Sequence, residues 1–229
     1  MFDVNVINWG LKKYSDALNN QRALRELRAE NQISDTLIIT QHYPVMTIGR
    51  SGSDENIKVN RDFLAERGID VVDVERGGDI TYHGPGQLIA YPIFHLQPRV
   101  RDVKKFIRAI EQVVVNTCRD FGANAVTIEG LTGVWISEKK TASLHLQEWT
   151  GEKKISSIGL AFKKWTTFHG VSFNINLDLT PFNYIHLCGL HGKKATSLAE
   201  VIGKEVEYKK VEKTFIENFK KMWKDFNKI

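Results

Sequence analysis

The sequence predicts an α+β fold, with a mixed, largely antiparallel sheet and flanking helices. Residues 131–137, 140–149, 153–162 and 169–176 alternate apolar and polar side chains with short polar connections, as in an antiparallel meander. Residues 102–121 and the segment from about Val211 to Phe226 instead carry apolar residues every three or four positions, the mark of amphipathic helices. Strands and helices neither alternate regularly, as a doubly wound parallel sheet requires, nor segregate fully.

Taken in order, Val4 to Trp9 alternates and reads as a strand. From Leu11 to about Asn31, Tyr14, Ala17, Leu18, Leu24 and Leu27 recur at roughly helical intervals. Thr36–Gln41 and Val45–Gly49 are rich in β-branched residues and flank His42-Tyr43-Pro44, so they read as two strands or one broken strand. A short helix near Arg61–Glu66 precedes a strand over VVDVE, and Leu88–Leu96 forms another. Residues 178–194 hold Pro, Gly and His without periodicity and read as a long loop. No linker or repeat divides residues 1–229, which are expected to form a single domain.

Composition narrows the function classes. Hydrophobic residues make up 42% and charged residues 26%, which is globular rather than disordered. No window nears the roughly 18 apolar residues of a membrane span, and the start MFDVNVINWG lacks the basic and apolar regions of a secretory signal. With only Cys118 and Cys188 there is no disulfide framework, so an intracellular, cytoplasmic protein with two thiols is expected. A net charge of +5 indicates a mild bias towards acidic partners. Basic pairs are interspersed with acids and aromatics are not interleaved with a basic stripe, which argues against a nucleic-acid-binding module.

Between two strands lies Arg76–Gln87, RGGDITYHGPGQ, with four glycines, one proline, an arginine and a histidine. A hairpin loop would use Gly and Pro this way, and so would a backbone approaching a ligand closely. It matches neither the phosphate loop nor the dinucleotide fingerprint, so ATP and NAD are not indicated, and no cofactor is expected.

Cys118 falls in the apolar stripe of residues 102–121 and reads as a buried thiol. Cys188 sits in the aperiodic loop near His186, His191, Lys193 and Lys194, where cations could favour a thiolate. Three chemistries are open there. A metal site on His186, Cys188 and His191 lacks a second ligand cluster. A Cys-His dyad could draw on His169, His83, His186 or His191. A Cys-Lys pair could use Lys154, which, on a regular strand, shares a face with Ser156, Ile158, Leu160 and Phe162 and would lose its charge if desolvated.

The run RGGDITYHGPGQLIAY, with Arg76, Gly77, Gly78, Thr81, Tyr82, His83, Gln87 and Tyr91, resembles the signature of the lipoyl(octanoyl) transferases, also called lipoate-protein ligase B. HYPVMTIGR (42–50), GVWI, KKISSIG, HGVSFNIN and CGL followed by TSL are similar to further segments of that family in the same order. Met46 stands where the family usually has an aromatic, which bears on the shape of the acyl pocket, and Leu187 where proline is common.

The resemblance implies the fold of the biotin and lipoate protein ligase catalytic domains. It also implies transfer of an octanoyl group from octanoyl-acyl carrier protein to a specific lysine of lipoyl domains, the first step of endogenous protein lipoylation. Acceptors would be the lipoyl domains of 2-oxoacid dehydrogenase complexes and the glycine cleavage H protein. Cys188 would be the nucleophile and Lys154 its base. Arg76, Gly77, Gly78, Asp79, Ile80, Thr81, Tyr82 and His83, with Ser157, Ile158, Gly159, Gly170, Val171 and Ser172, would line the substrate site. No metal is implied. An ATP-dependent lipoate or biotin ligase and a lipoyl amidotransferase of the same fold are the nearest rivals.

Overall fold

The computed structural model describes residues 4–97, 101–137, 143–145, 151–186 and 193–228. In chain order the elements are β1 (Asn5–Lys12), α1 (Tyr14–Ala29), β2 (Thr36–His42), β3 (Val45–Ile48), α2 (Arg61–Glu66), β4 (Asp70–Asp73), β5 (Ile80–His83) and β6 (Gln87–Ile93). They continue with α3 (Val103–Asp120), β7 (Ala125–Ile128), β8 (Leu131–Ile136), β9 (Ser143–Leu144), β10 (Lys153–Lys163), β11 (Thr166–Asn174), α4 (Leu198–Ile202) and α5 (Tyr208–Phe226).

These strands form two sheets. The larger runs β1-β2-β6-β11-β10-β8-β7-β9, and the smaller β4-β3-β5. Pairing is parallel between β1 and β2, β7 and β9, and β3 and β4, and antiparallel elsewhere, so the sheets are mixed and largely antiparallel as expected.

The face covered by α3 and α5 carries the main core. Helix α3 opens on Asp102, whose carboxylate accepts the Lys105 N–H at 2.9 Å and satisfies one of the orphan donors of the first turn. Its buried stripe, Phe106, Ile110, Val113, Val114 and Cys118, meets Phe215, Phe219 and Trp223 of α5 in one apolar cluster. Burying each of these large side chains stabilises by about 1.5–3 kcal/mol. Phe94 enters the same cluster, its ring centroid 4.5 Å from that of Trp223.

Several expectations are corrected. Of the two readings of residues 36–49, two strands holds and one broken strand does not, because the Tyr43-Pro44 turn sends β2 into the large sheet and β3 into the small one. Of segment 140–149 only residues 143–145 are described, and they do not sit between β8 and β10. Its described part, β9, pairs with β7 at the sheet edge, leaving β8, β10 and β11 as the meander. Within the glycine-rich run, Ile80–His83 is itself a strand, antiparallel to β3. Strand β7 and the short helix α4 have no counterpart in the periodicity, since four or five residues are too few to establish a period. The 178–194 stretch includes a 3-10 helix over Thr180–Tyr184.

Candidate active site

A cavity of about 520 Å³ opens where the Arg76–Asp79 loop and β5 face β6, β8, β10 and β11 of the large sheet. Its walls include Arg76, Gly77, Gly78, Asp79, Ile80, Thr81, His83, Lys154, Ser157, Ile158, Gly159, Gly170, Val171 and Ser172. Three separate stretches of sequence therefore meet at one concavity. Tyr82, which alternates with Thr81 and His83 along β5, instead points into the apolar cluster of Met46, Leu64 and Phe182, with its ring edge-on to Phe182. Met46 lies in that cluster too, so it is not a wall of this cavity.

The loop lies close against neighbouring backbone. The Gly77 N–H donates to Leu160 O at 2.9 Å, and a Cβ on Gly159 would stand 2.8 Å from Gly77 O. Gly49, Arg50 and Ser51 donate their N–H groups to Asp79, Arg76 and Gly78 respectively. The loop is thus laced to β10 on one side and to the end of β3 on the other; the close approach excludes a side chain at Gly159, while Gly78 takes a φ of +81°.

From this loop the Arg76 guanidinium turns inward. It donates to Thr47 O at 2.6 Å and to Thr47 Oγ1 at 2.9 Å. With both guanidinium contacts arriving at Thr47 Oγ1, the hydroxyl proton is left for His83 Nε2, 3.3 Å away. His83 Nδ1–H then donates to Gln87 Oε1 at 2.8 Å, while the Gln87 amide donates to Asn174 Oδ1 at 2.8 Å. The Asn174 amide donates onward to Thr196 O at 2.8 Å. Burial pushes the His83 imidazole down to about 3, with nearby His42, Arg76 and His169 adding to the effect. His83 is therefore neutral at pH 7, an acceptor at Nε2 rather than a cation.

A second polar wall comes from α1 and β11. Tyr14 Oη lies 3.3 Å from His169 Nδ1, and His169 Nε2 lies 3.6 Å from Glu75. Glu75 also accepts both arms of Arg22, at 2.9 and 3.0 Å, and these contacts pull its carboxyl down to about 2 against the opposing effect of burial. Burial lowers His169 to about 4, and likewise His42, whose Nε2 meets Tyr91 Oη at 2.6 Å. Among these polar groups Thr81 Oγ1 is buried on the cavity wall with no hydrogen-bond partner among the described residues.

Lys154 is buried at 4% exposure, but not on the face expected of a regular strand. Lys154 pairs with Trp135 and Ser156 with Val134, so Ile155 is an extra residue, a β-bulge that shifts the phase by one. Ile155 and Leu160 enter the main core, whereas Lys154 lines the cavity with Ser157 and Gly159. Its Nζ donates to Thr132 O at 3.0 Å and lies 5.1 Å from the Trp135 ring centroid. Gly133 makes room for it, since a Cβ there would stand 2.5 Å from Lys154 Cε. Lys153, on the other face, reaches Glu200 at the surface.

Cys188 and His191 lie outside the described residues, within 187–192. The chain just after them is tied to Lys154, because Lys154 N–H donates to Lys194 O at 2.8 Å and Thr196 N–H donates to Lys154 O at 2.9 Å. Cys118 is fully buried in the main core, where burial pushes its thiol well up. Among the described residues no group of three metal-ligating side chains is present. Nor is any described helix long and apolar enough to cross a membrane. Sequence reasoning passed over Tyr14, Trp135 and Glu111 as contributors to this region. For Glu111 a signal exists: it falls four residues after Ile107 and three before Val114, so a carboxylate stands on the buried stripe of α3.

A model of the lipoyl protein ligase A/B catalytic domain matches residues 13–220. The octanoyltransferase of Caldicellulosiruptor saccharolyticus is 42% identical over 207 residues, spanning 90% of this chain and 82% of that protein. Among solved structures, a bipartite lipoate protein ligase from Thermoplasma acidophilum aligns with a TM-score of 0.71 over 96% of this chain and 83% of its own, at 18% identity. A biotin protein ligase from Aquifex aeolicus aligns at 0.53 over 100% of this chain and 72% of its own, at 15% identity. The two structural likenesses concern the fold, while the first two matches cover most of the sequence, and on them the chain belongs to the lipoyl protein ligase A/B catalytic-domain family, among its octanoyltransferases.

Proposed function

We propose that residues 1–229 act as one catalytic domain that moves an octanoyl group from the thioester of an acyl carrier protein to a lysine of a lipoyl domain. Cys188 is the nucleophile in this reading and Lys154 its base. The observation that carries it is the buried Lys154 amine, held over Gly133 in the wall of the cavity and tied through its own backbone to the segment that follows Cys188. A cytoplasmic setting belongs to the same reading, as do the 2-oxoacid dehydrogenase lipoyl domains and the glycine cleavage H protein as acceptors.

The chemistry balances without ATP, because the donor is already activated. Lys154 takes the thiol proton, and the Cys188 thiolate attacks the thioester carbon. The carrier thiolate leaves and is protonated by the Lys154 ammonium. The acceptor amine then attacks the acyl-cysteine, an amide forms, and Cys188 leaves as thiolate. The proton of the attacking amine passes to Lys154, which restores the thiol. The Thr81 hydroxyl, without a partner among the described residues, is suited to donating to the carbonyl of a neutral acyl group, while neutral His83, engaged by Thr47 and Gln87, sets no charge beside it.

Incubation with octanoyl-acyl carrier protein, followed by peptide mapping by mass spectrometry, tests the reading. An octanoyl adduct on Cys188 that passes to a lipoyl domain without ATP is the expected result. An adduct on Cys118, no adduct at all, or transfer that requires ATP and free acid would overturn it.

A further inference from the structure

Glu111 has a side chain that is fully buried, on the face of α3 otherwise given to apolar residues. A carboxylate there costs several kcal/mol unless it is paired and hydrogen-bonded. Its Oε2 meets Arg108 Nη1 at 2.5 Å, and its Oε1 accepts the Gly133 N–H at 2.8 Å. That N–H belongs to the Thr132–Gly133 peptide, and the carbonyl of the same peptide is Thr132 O, which accepts from Lys154 Nζ at 3.0 Å. One peptide group thus stands between a buried carboxylate and the buried lysine.

The sheet is irregular at this point on both sides. β8 shifts register against β7 between Val126 and Ile128, and against β10 between Lys154 and Ser156. Gly133 adopts a φ of +123° in the middle of β8, a backbone state that side-chain-bearing residues rarely take. The bulged backbone turns the Thr132–Gly133 peptide so that its two ends meet Glu111 and Lys154.

We propose that Glu111 is a positioning residue for Lys154, which acts through the Thr132–Gly133 peptide to hold the amine at the cavity wall and to stabilise the ammonium it becomes on taking the thiol proton. The inference rests on the reading of Lys154 as the base. A carboxylate at the N–H end polarises the peptide and makes its carbonyl a stronger acceptor for an ammonium donor, in a setting where hydrogen-bonded groups reinforce one another. The charged groups that face Glu111 are Arg108, one turn earlier on α3, and Lys154 from β10. On the other side of Lys154, Lys193 Nζ lies 4.9 Å from the Trp135 ring centroid. Burial raises the Glu111 carboxyl, and the Gly133 N–H, Arg108 and Lys154 all act against that rise.

Glu111→Gln keeps an acceptor for the Gly133 N–H but removes the charge, so a purely structural tether would survive it. The test follows the Lys154 side chain by NMR in lysine-labelled protein over a pH titration, with Lys154→Ala assigning the signal. In Glu111→Gln the Lys154 midpoint is expected to fall by roughly half to one pH unit. Arg108→Gln, which strips Glu111 of its counter-charge, is expected to move the midpoint upwards. Opposite displacements are a signature that general loosening does not produce. Unmoved midpoints, or two variants moving the same way, would overturn the proposal. Should Glu111→Gln fail to fold, Arg108→Gln alone decides by the sign of its shift. Octanoyl transfer by Lys154→Ala is scored separately: unimpaired transfer sinks Lys154 as the base and leaves the coupling between Glu111 and Lys154 to the titration.

Discussion

The two faces of the large sheet are buried to similar depth and built on opposite principles. Under α3 and α5 the contacts are aromatic and aliphatic, with Phe94, Phe106, Phe219 and Trp223 in mutual ring contact. On the cavity face, His42, Thr47, Arg76, His83, Gln87 and His169 are all under 9% exposed; Arg76, Thr47, His83 and Gln87 form one hydrogen-bonded chain, while His42 bonds to Tyr91 and His169 to Tyr14. An apolar core tolerates small displacements because its interactions have no direction. A buried polar network does not, because a single lost partner leaves a desolvated donor or acceptor behind. The first face accounts for stability, and the second fixes the positions of atoms.

If that division is right, substitutions on the two faces fail in different ways. The largest effect is expected from Trp223→Ala, which removes a side chain at 1% exposure and should cost about 3–5 kcal/mol of stability. Chemical denaturation measures it, and transfer per folded molecule should stay within about twofold of wild type. A large loss of transfer in folded protein would break the division. Gly133→Ala should do the reverse: its new Cβ would press on Lys154 Cε, and transfer should fall about a hundredfold. Stability should fall by about 1–3 kcal/mol, the cost of a strained φ.

A third effect concerns pH. His83, His42 and His169 have folded pKa values of about 3, 4 and 4, below the ordinary 6.5. Between those values the unfolded chain binds protons that the folded one does not. The contribution of these histidines is therefore complete above about pH 6.5 and is lost as pH falls, at up to about 1.4 kcal/mol per pH unit for each. His83→Gln should flatten that slope between pH 6.5 and 4, read from unfolding curves at several pH values. The smallest effect is expected at the surface. The Arg61–Asp54 pair has side chains 49% and 62% exposed, so Arg61→Ala should change stability by less than about 1 kcal/mol.

The apolar face was the more legible of the two in the sequence. The stripes of α3 and α5 span several turns, so their period announces both the helix and the side it buries. The cavity face depends on departures from regularity. The bulge at Ile155 moved Lys154 off the face that period-two counting assigns it, because a pattern of two cannot register one inserted residue. Glycine density flagged Arg76–Gln87, yet the strand within it was hidden, since Ile80–His83 is too short to alternate visibly. Glu111 was masked by the strength of its own helix, where one charged residue among many looks solvated. That the three distant segments converge followed from the family resemblance, not from spacing.

The extra residue in β10 also bears on how this chain can vary in length. A strand that loses one residue elsewhere along an even ladder reverses its inward and outward sides from the gap onward. Deleting Ile155 would leave Lys154 opposite Trp135 and Ser156 opposite Val134, a one-to-one match in which the amine keeps its cavity side while the core loses the Ile155 side chain. The bulge therefore gives this strand a residue that can be lost without reversing Lys154, at the cost of the Ile155 packing.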